Sequence, residues 1–212
     1  MSAQSTILLA ILLPLAGAAG IALAGRISAN VRETVTLVTA GGLALTVWSL
    51  LPVVTAGGRP AVTVTELLPG VELAFRVEPL GMLFAALASG LWIVNSLYSI
   101  GYMRGNNEKH QTRFYVMFAV SLAATMGVAF AGNLITLFLF YEMLTLSTYP
   151  LVSHKGDANT VRSARVYLGI LLTTSIGLFL PAIIWTYTVA GGGDFVAGGI
   201  LAGHVEGPAI GL

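Results

Sequence analysis

Glu142 is the one carboxylate in the run Asn133–Val152, and its neighbours are almost all side chains that a bilayer accepts. Counting from Asn133 at ~1.5 Å per residue puts it roughly 14 Å into a hydrocarbon layer about 30 Å thick. An ionised group at that depth costs on the order of 3 kcal/mol on insertion scales unless it meets a partner, a water-filled cavity or a proton. Thr145 and Tyr149 follow three and seven residues on, so helical periodicity draws Glu142, Thr145 and Tyr149 into one polar stripe. That combination suits reversible protonation or ion pairing, with hydroxyls beside the carboxylate. The competing reading is a protonated, hydrogen-bonded Glu that only fixes helix packing; intramembrane ionisable groups default to transport or relay roles, which favours the first. Pro150 leaves the carbonyl of Leu146 without its helical donor, one turn past Glu142, so the stripe can hold water there or the helix can simply kink.

His154 and Lys155 close the same run at its far end. An imidazole with an unperturbed pKa near 6.5 is a candidate cytoplasmic proton relay, and an ordinary interfacial residue is the alternative. His110 and His204 fall in loops.

The elements that must position this stripe are membrane helices. Apolar residues make up 56% of the 212 residues and charged ones 9%, with a mean hydropathy of +0.87; soluble domains carry about 25% charged residues. A net charge of +1 gives no electrostatic footprint for nucleic acid. With no cysteine, the chain alone holds no disulfide, thiolate metal site or iron–sulfur cluster. No phosphate loop, dinucleotide fingerprint or H-E-x-x-H occurs, no cofactor is expected, and no helix interior carries the imidazoles that haem wants.

Six spans are expected, at about 6–24, 32–56, 80–103, 113–131, 133–153 and 163–190. Loops one, three and five carry Arg26 and Arg32, then Arg104, Lys109 and Arg113, then Lys155, Arg162 and Arg165, whereas the other side carries only Arg59 and Arg76. The positive-inside rule therefore puts both termini outside. The first span has no positive charge ahead of it, so it reads as an uncleaved helix. Alternation in Val71–Val77, after Thr63, Thr65 and Leu67, predicts a short external strand or hairpin. Its charges, Arg59, Glu66, Glu72, Arg76 and Glu78, read as a solvated rim. The three-residue link Ala131–Asn133 makes spans four and five antiparallel neighbours. Small residues at four-residue spacing (Gly81, Ala85, Ser89; Ala123, Gly127, Ala131; Gly169, Thr173, Gly177) predict three close helix contacts. Residues 191–212 are Gly-rich, too broken to span, and read as an external tail. The expected division is 1–78 (two helices and the external loop), 79–190 (a four-helix core) and 191–212.

The run Phe138-Leu-Phe-Tyr-Glu142-Met-Leu-Thr-Leu-Ser-Thr-Tyr149-Pro-Leu-Val resembles the antiporter-like membrane subunits shared by Mrp-type cation/proton antiporters and respiratory complex I. Phe75-Arg-Val-Glu-Pro-Leu-Gly-Met, Ser99-Ile-Gly-Tyr-Met103, Met126–Leu134, Ala164-Arg-Val-Tyr-Leu168 and Gly199–His204 extend the likeness from about Glu72 to His204. Within the family it looks most like the D-type subunits of Mrp antiporters. The resemblance implies an all-α integral membrane fold in the cell inner (plasma) membrane. It also implies a proton-translocating subunit rather than an enzyme, with an NADH–quinone oxidoreductase-like or hydrogenase-like assembly as another candidate host. Its implied partners are other membrane subunits, the bilayer, protons and Na+ or K+, with no nucleic acid. In the family a Glu matching Glu142 faces a Lys on a broken seventh helix. This sequence holds no Lys inside any expected span, so the resemblance implies a split or shortened form that needs a Lys-bearing helix from elsewhere. The alternative is a structural membrane subunit that moves nothing.

Overall fold

The structure, a computed structural model, describes residues 2–205. Six helices among them are long and apolar enough to cross a membrane, and they track the expected spans closely. They are α1 (Ala3–Ala24), α2 (Ala29–Trp48) running on through the short α3 (Leu51–Thr55), α4 (Pro79–Gly105), α5 (Gln111–Ala129), α6 (Leu134–Val152), and a last span of α7 (Ala158–Thr174) and α8 (Leu180–Ala190). A π-helical turn, Ser175–Phe179, joins α7 to α8 just before Pro181. Proline has no N–H and its ring collides with the preceding turn, which a wider turn accommodates.

Four helix starts are capped by side chains that accept the N–H three residues on: Ser2, Ser28, Asn133 and Asp157. The Ser28 cap corrects one expectation. It starts α2 at Ala29, so Arg32 lies within the helix as a buried side chain rather than a loop charge.

The core lies where α1, α2, α4 and α5 meet, around Ile7, Ile21, Leu43, Val47, Trp92 and Met126. Ala85, Ser89 and Ala123 are fully buried, and Gly127 makes room for the Phe140 ring, so two of the small-residue stripes are contact lines. The third is not. Gly169 and Gly177 have open space where a side chain would be, so that stripe faces no described neighbour.

The expected hairpin is present, with β1 (Ala61–Leu68) antiparallel to β2 (Val71–Arg76) and a turn at Gly70, whose φ is +78°. It is fastened across the α5–α6 link: Arg76 N donates to Phe130 O at 2.7 Å and Gly132 N to Ala74 O at 2.9 Å. The tail joins from the other side, with Phe195 N on Gly132 O at 3.2 Å and Leu134 N on Gly193 O at 2.9 Å. A Cβ on Gly132 would press on the Ala74 backbone, which is why a glycine stands at this crossing. At the opposite end, Arg32 donates to Gln111 and Thr112, and Arg113 Nη2 donates to His154 O at 3.1 Å. The basic links between helices thus gather at one end of the bundle and the hairpin at the other.

Candidate functional site

Helix α6 is held at its start by groups that leave little freedom. Asn133 is 1% exposed; its Oδ1 accepts from Thr136 N at 2.9 Å while its Nδ2 donates to Glu72 O at 2.8 Å. Thr136 Oγ1 accepts from Ala74 N at 3.1 Å, tying the first turn to the hairpin. Along one flank α6 packs on α5, through the Phe140 ring over Gly127 and a Ser121–Ser147 hydroxyl contact of 2.8 Å. On the other flank Phe138 and Tyr141 meet Phe179 of the π-helical turn, at ring separations of 6.0 and 6.3 Å. A cleft of 390 Å³ opens there between Leu137, Tyr141, Thr174, Ser175 and Phe179.

Glu142 stands midway along this anchored helix, half-buried, with Oε1 shut off from solvent and without a hydrogen-bond partner among the described residues. A carboxylate oxygen in that state carries a large desolvation penalty unless it is protonated or meets a donor. Thr145 is buried, and Tyr149 is half-buried one turn further. Among the described residues no side-chain hydrogen bond joins Glu142, Thr145 and Tyr149 to one another. They share a face but not a network.

His154 lies just past the Ser153 cap that ends α6. Both ring nitrogens are buried without a partner, and the ring stands edge-on to Phe114 at 5.7 Å. Burial holds its pKa below the ordinary histidine value; Arg113 and His110 push the same way and Glu108 opposes them. Lys155 beside it is exposed. His154 lies twelve residues past Glu142, the first ten of them helix with roughly 15 Å of axial rise, so the two make no direct contact. No group of His, Asp or Glu among the described residues is arranged to hold a metal.

One buried constellation went unnoticed in the sequence. Glu33 accepts from Arg32 Nη2 at 3.1 Å, from Arg104 Nε at 3.0 Å, and from Arg104 Nη2. Arg32 also donates to Gln111 Oε1 at 2.8 Å and lies over the Tyr115 ring at 5.1 Å. The available signal was Glu33 itself, an acid inside the second expected span with arginines as its only apparent partners.

Six helices long and apolar enough to cross a membrane, a hairpin at one end and a half-buried carboxylate midway along one of those helices define a multi-pass membrane fold. Residues 131–201 match the family described as NADH:quinone oxidoreductase/Mrp antiporter, TM. The chain is 33% identical over 98 residues to the A1 subunit of the Na(+)/H(+) antiporter of Staphylococcus aureus (strain bovine RF122 / ET3-1), covering 46% of this chain and 12% of that protein. It is 28% identical over 116 residues to the A/B subunit of the probable K(+)/H(+) antiporter of Rhizobium meliloti (strain 1021), covering 54% and 11%. The chain thus spans only about an eighth of the curated relatives it matches. Its fold follows that of a chain in the Mrp complex from Dietzia sp. DQ12-45-1b, with a TM-score of 0.76 at 23% identity over 96% of this chain and 21% of that one. A chain of the membrane-bound sulfane sulfur reductase, an archaeal respiratory membrane complex, superposes with a TM-score of 0.77 at 17% identity, over 89% and 38%.

Proposed function

We propose that this chain is part of a proton-translocating, antiporter-like subunit of a multisubunit membrane complex, with Glu142 as the group that carries a proton or pairs with a cation. The observation that carries this reading is the Oε1 of Glu142, buried midway along a rigidly anchored helix and without a partner among the described residues. Such an oxygen wants a proton or a cationic side chain, and a neighbouring segment bearing a Lys would supply the second. The little-buried face of α7 and α8 offers room for that segment beside α6. Thr145 and Tyr149 are proposed as stripe partners, and His154 with Lys155 as the relay at the basic end. The bias of its arginines and lysines favours that end as the cytoplasmic one, and a plasma membrane is proposed from the resemblance alone. The relatives named above are of A1 and A/B type, while the D-type likeness stays a finer proposal together with the coupled ion, Na+ or K+.

The test is Glu142→Gln in the complete complex, read as cation-dependent proton movement in inverted membrane vesicles across several pH values, beside a blot for assembly. The amide keeps shape and hydrogen bonding but does not titrate, so transport is expected to disappear while assembly persists. Glu142→Asp retains part of the activity with a shifted pH profile. Full transport by an assembled Glu142→Gln complex refutes the proposal and leaves the chain a structural component.

A further inference from the structure

Taking Glu142 as the proton-carrying group proposed above, we infer that Asn133 and Thr136 are its positioning residues: they lock the first turn of α6 to the hairpin and so set the height and rotation at which the carboxyl is held. Both side chains are buried, Asn133 at 1% exposure and Thr136 at 0%, and both make hydrogen bonds that leave their own helix. Asn133 uses the two ends of its amide, Oδ1 to cap Thr136 N and Nδ2 to donate to Glu72 O. Thr136 Oγ1 accepts from Ala74 N, two residues further along β2. Capping alone does not call for an asparagine, because Ser and Asp cap a helix about as well. A carboxylate has no donor, however, and a hydroxyl has one atom for both partners. The amide offers an acceptor and a donor on separate atoms and spends both. From the other side, Leu134 N donates to Gly193 O of the tail, so the same turn is held twice.

The lock reaches Glu142 because nothing softens the helix between them. Residues 134–141 contain neither Gly nor Pro, and α6 runs unbroken from Leu134 to Val152. Nine residues of such a rod amount to about two and a half turns and ~13.5 Å. A slip of one residue in the first turn would swing the carboxyl by about 100° and move it by ~1.5 Å. Further along, α6 is held less firmly. Past Thr136 only Phe138, Thr145 and Ser147 are buried among the described residues. The Ser121–Ser147 hydroxyl contact is the one side-chain hydrogen bond from α6 to another helix among them. Glu142 Oε1 has no partner of its own there, so its place follows from the ties of its helix.

The experiment cuts the ties without adding charge. Asn133→Ser keeps a cap and gives up the amide N–H to Glu72 O, Thr136→Val keeps the shape and gives up the acceptor for Ala74 N, and Thr136→Ser keeps that acceptor. The chain has no cysteine, so a bimane on Leu139→Cys or Leu146→Cys, both exposed on α6, reports the register of the helix in the full chain through quenching by brominated lipids. Cation-dependent proton movement per assembled complex is read in inverted vesicles at several pH values, beside Glu142→Gln. Asn133→Ser and Thr136→Val are expected to change the quenching of the labels and to displace the pH profile of transport while the complex assembles. Transport itself falls about ten- to a hundredfold, as small misplacements of a reacting group cause. Thr136→Ser recovers most of that loss. Unchanged quenching in both variants, or less complex with parental transport and pH profile per complex, overturns the lock alone and leaves two ordinary structural contacts. Full transport by an assembled Glu142→Gln complex overturns the role of Glu142, and the positioning role with it.

Discussion

Removing the carboxylate of Glu33 should destabilise the bundle more than removing the charge beside it on the solvent side. The side chains of Arg32 and Glu33 are 8% and 7% exposed, while that of Arg104 is 45% exposed. Deleting one partner of a buried pair costs about 3–5 kcal/mol, because the other charge is left unpaired. Arg32 would keep Gln111, Thr112 and the Tyr115 ring, which places Glu33→Ala near the lower bound, about 3 kcal/mol. Arg104→Ala leaves the Arg32–Glu33 pair intact and removes an arm already half in solvent, so a clearly smaller loss is expected. For chains of this size ~1 kcal/mol moves the midpoint by roughly 2–4 °C, giving roughly 6–12 °C for Glu33→Ala and a smaller shift for Arg104→Ala. The assay is thermal unfolding in a mild detergent, followed by fluorescence, since Trp92 is buried in the core. Glu33→Gln falls between the two because an amide oxygen still accepts. An Arg104→Ala variant as damaged as Glu33→Ala, or a Glu33→Ala midpoint within about 2 °C of the parent by that same scale, would show that these charges do not clamp α2 to α4 and α5.

Two further outcomes follow from the same geometry. Gly81→Ala should lower the unfolding midpoint, because a Cβ there runs into the Ala129 carbonyl, whereas Gly169→Ala should be neutral or raise stability by up to about 1 kcal/mol, the helical preference of Ala over Gly; equal effects at the two positions would contradict the α4–α5 contact. His154 has its pKa depressed by burial and by Arg113, so its neutral form contributes stability that is complete above the unfolded value near 6.5 and is lost as pH falls from there toward the lowered folded value; melts from about pH 7.5 to 5 should show this loss in the parent and less of it in His154→Gln, and identical acid sensitivity in both would remove His154 from the account.

Much of the architecture was legible because lipid leaves a chain few options. Length and apolarity set the spans, and basic residues sorted the links to one end. The alternation after Val71 announced β2, and the Ala131–Asn133 link fixed α5 against α6. The places where sequence reasoning fell short are those where one side chain changes the local rule. Ser28 starts α2 at Ala29, a turn earlier than hydropathy suggests, so Arg32, read as a loop charge, is buried in the helix beside Glu33. Pro181 lies just past the π-helical turn Ser175–Phe179, and a proline in a run does not say whether the helix kinks or widens ahead of it. The stripe Gly169, Thr173 and Gly177 has the spacing of a contact line without a described contact, because spacing says that a helix can be approached closely and not what approaches it.

The candidate site divides in the same way. That Glu142 would lie near the middle of a spanning helix followed from counting residues, and the fold has it there, on a helix held at its start by Asn133 and Thr136. Periodicity suggested a polar stripe on one face; among the described residues no side-chain hydrogen bond joins Thr145 or Tyr149 to Glu142. Thr145, three residues on, is close enough for contact but is not bonded to Glu142, while Tyr149 lies about 10 Å along the axis. A proton leaving Glu142 along α6 would therefore need water or side chains from another element to cross those gaps. The flank of α6 that meets the π-helical turn holds the cleft beside Phe179, and α7 and α8 themselves are little covered. A connected path through Glu142 is thus a property of this helix together with whatever packs beside it. Glu142→Gln is for that reason a test for the assembled complex and not for the chain alone.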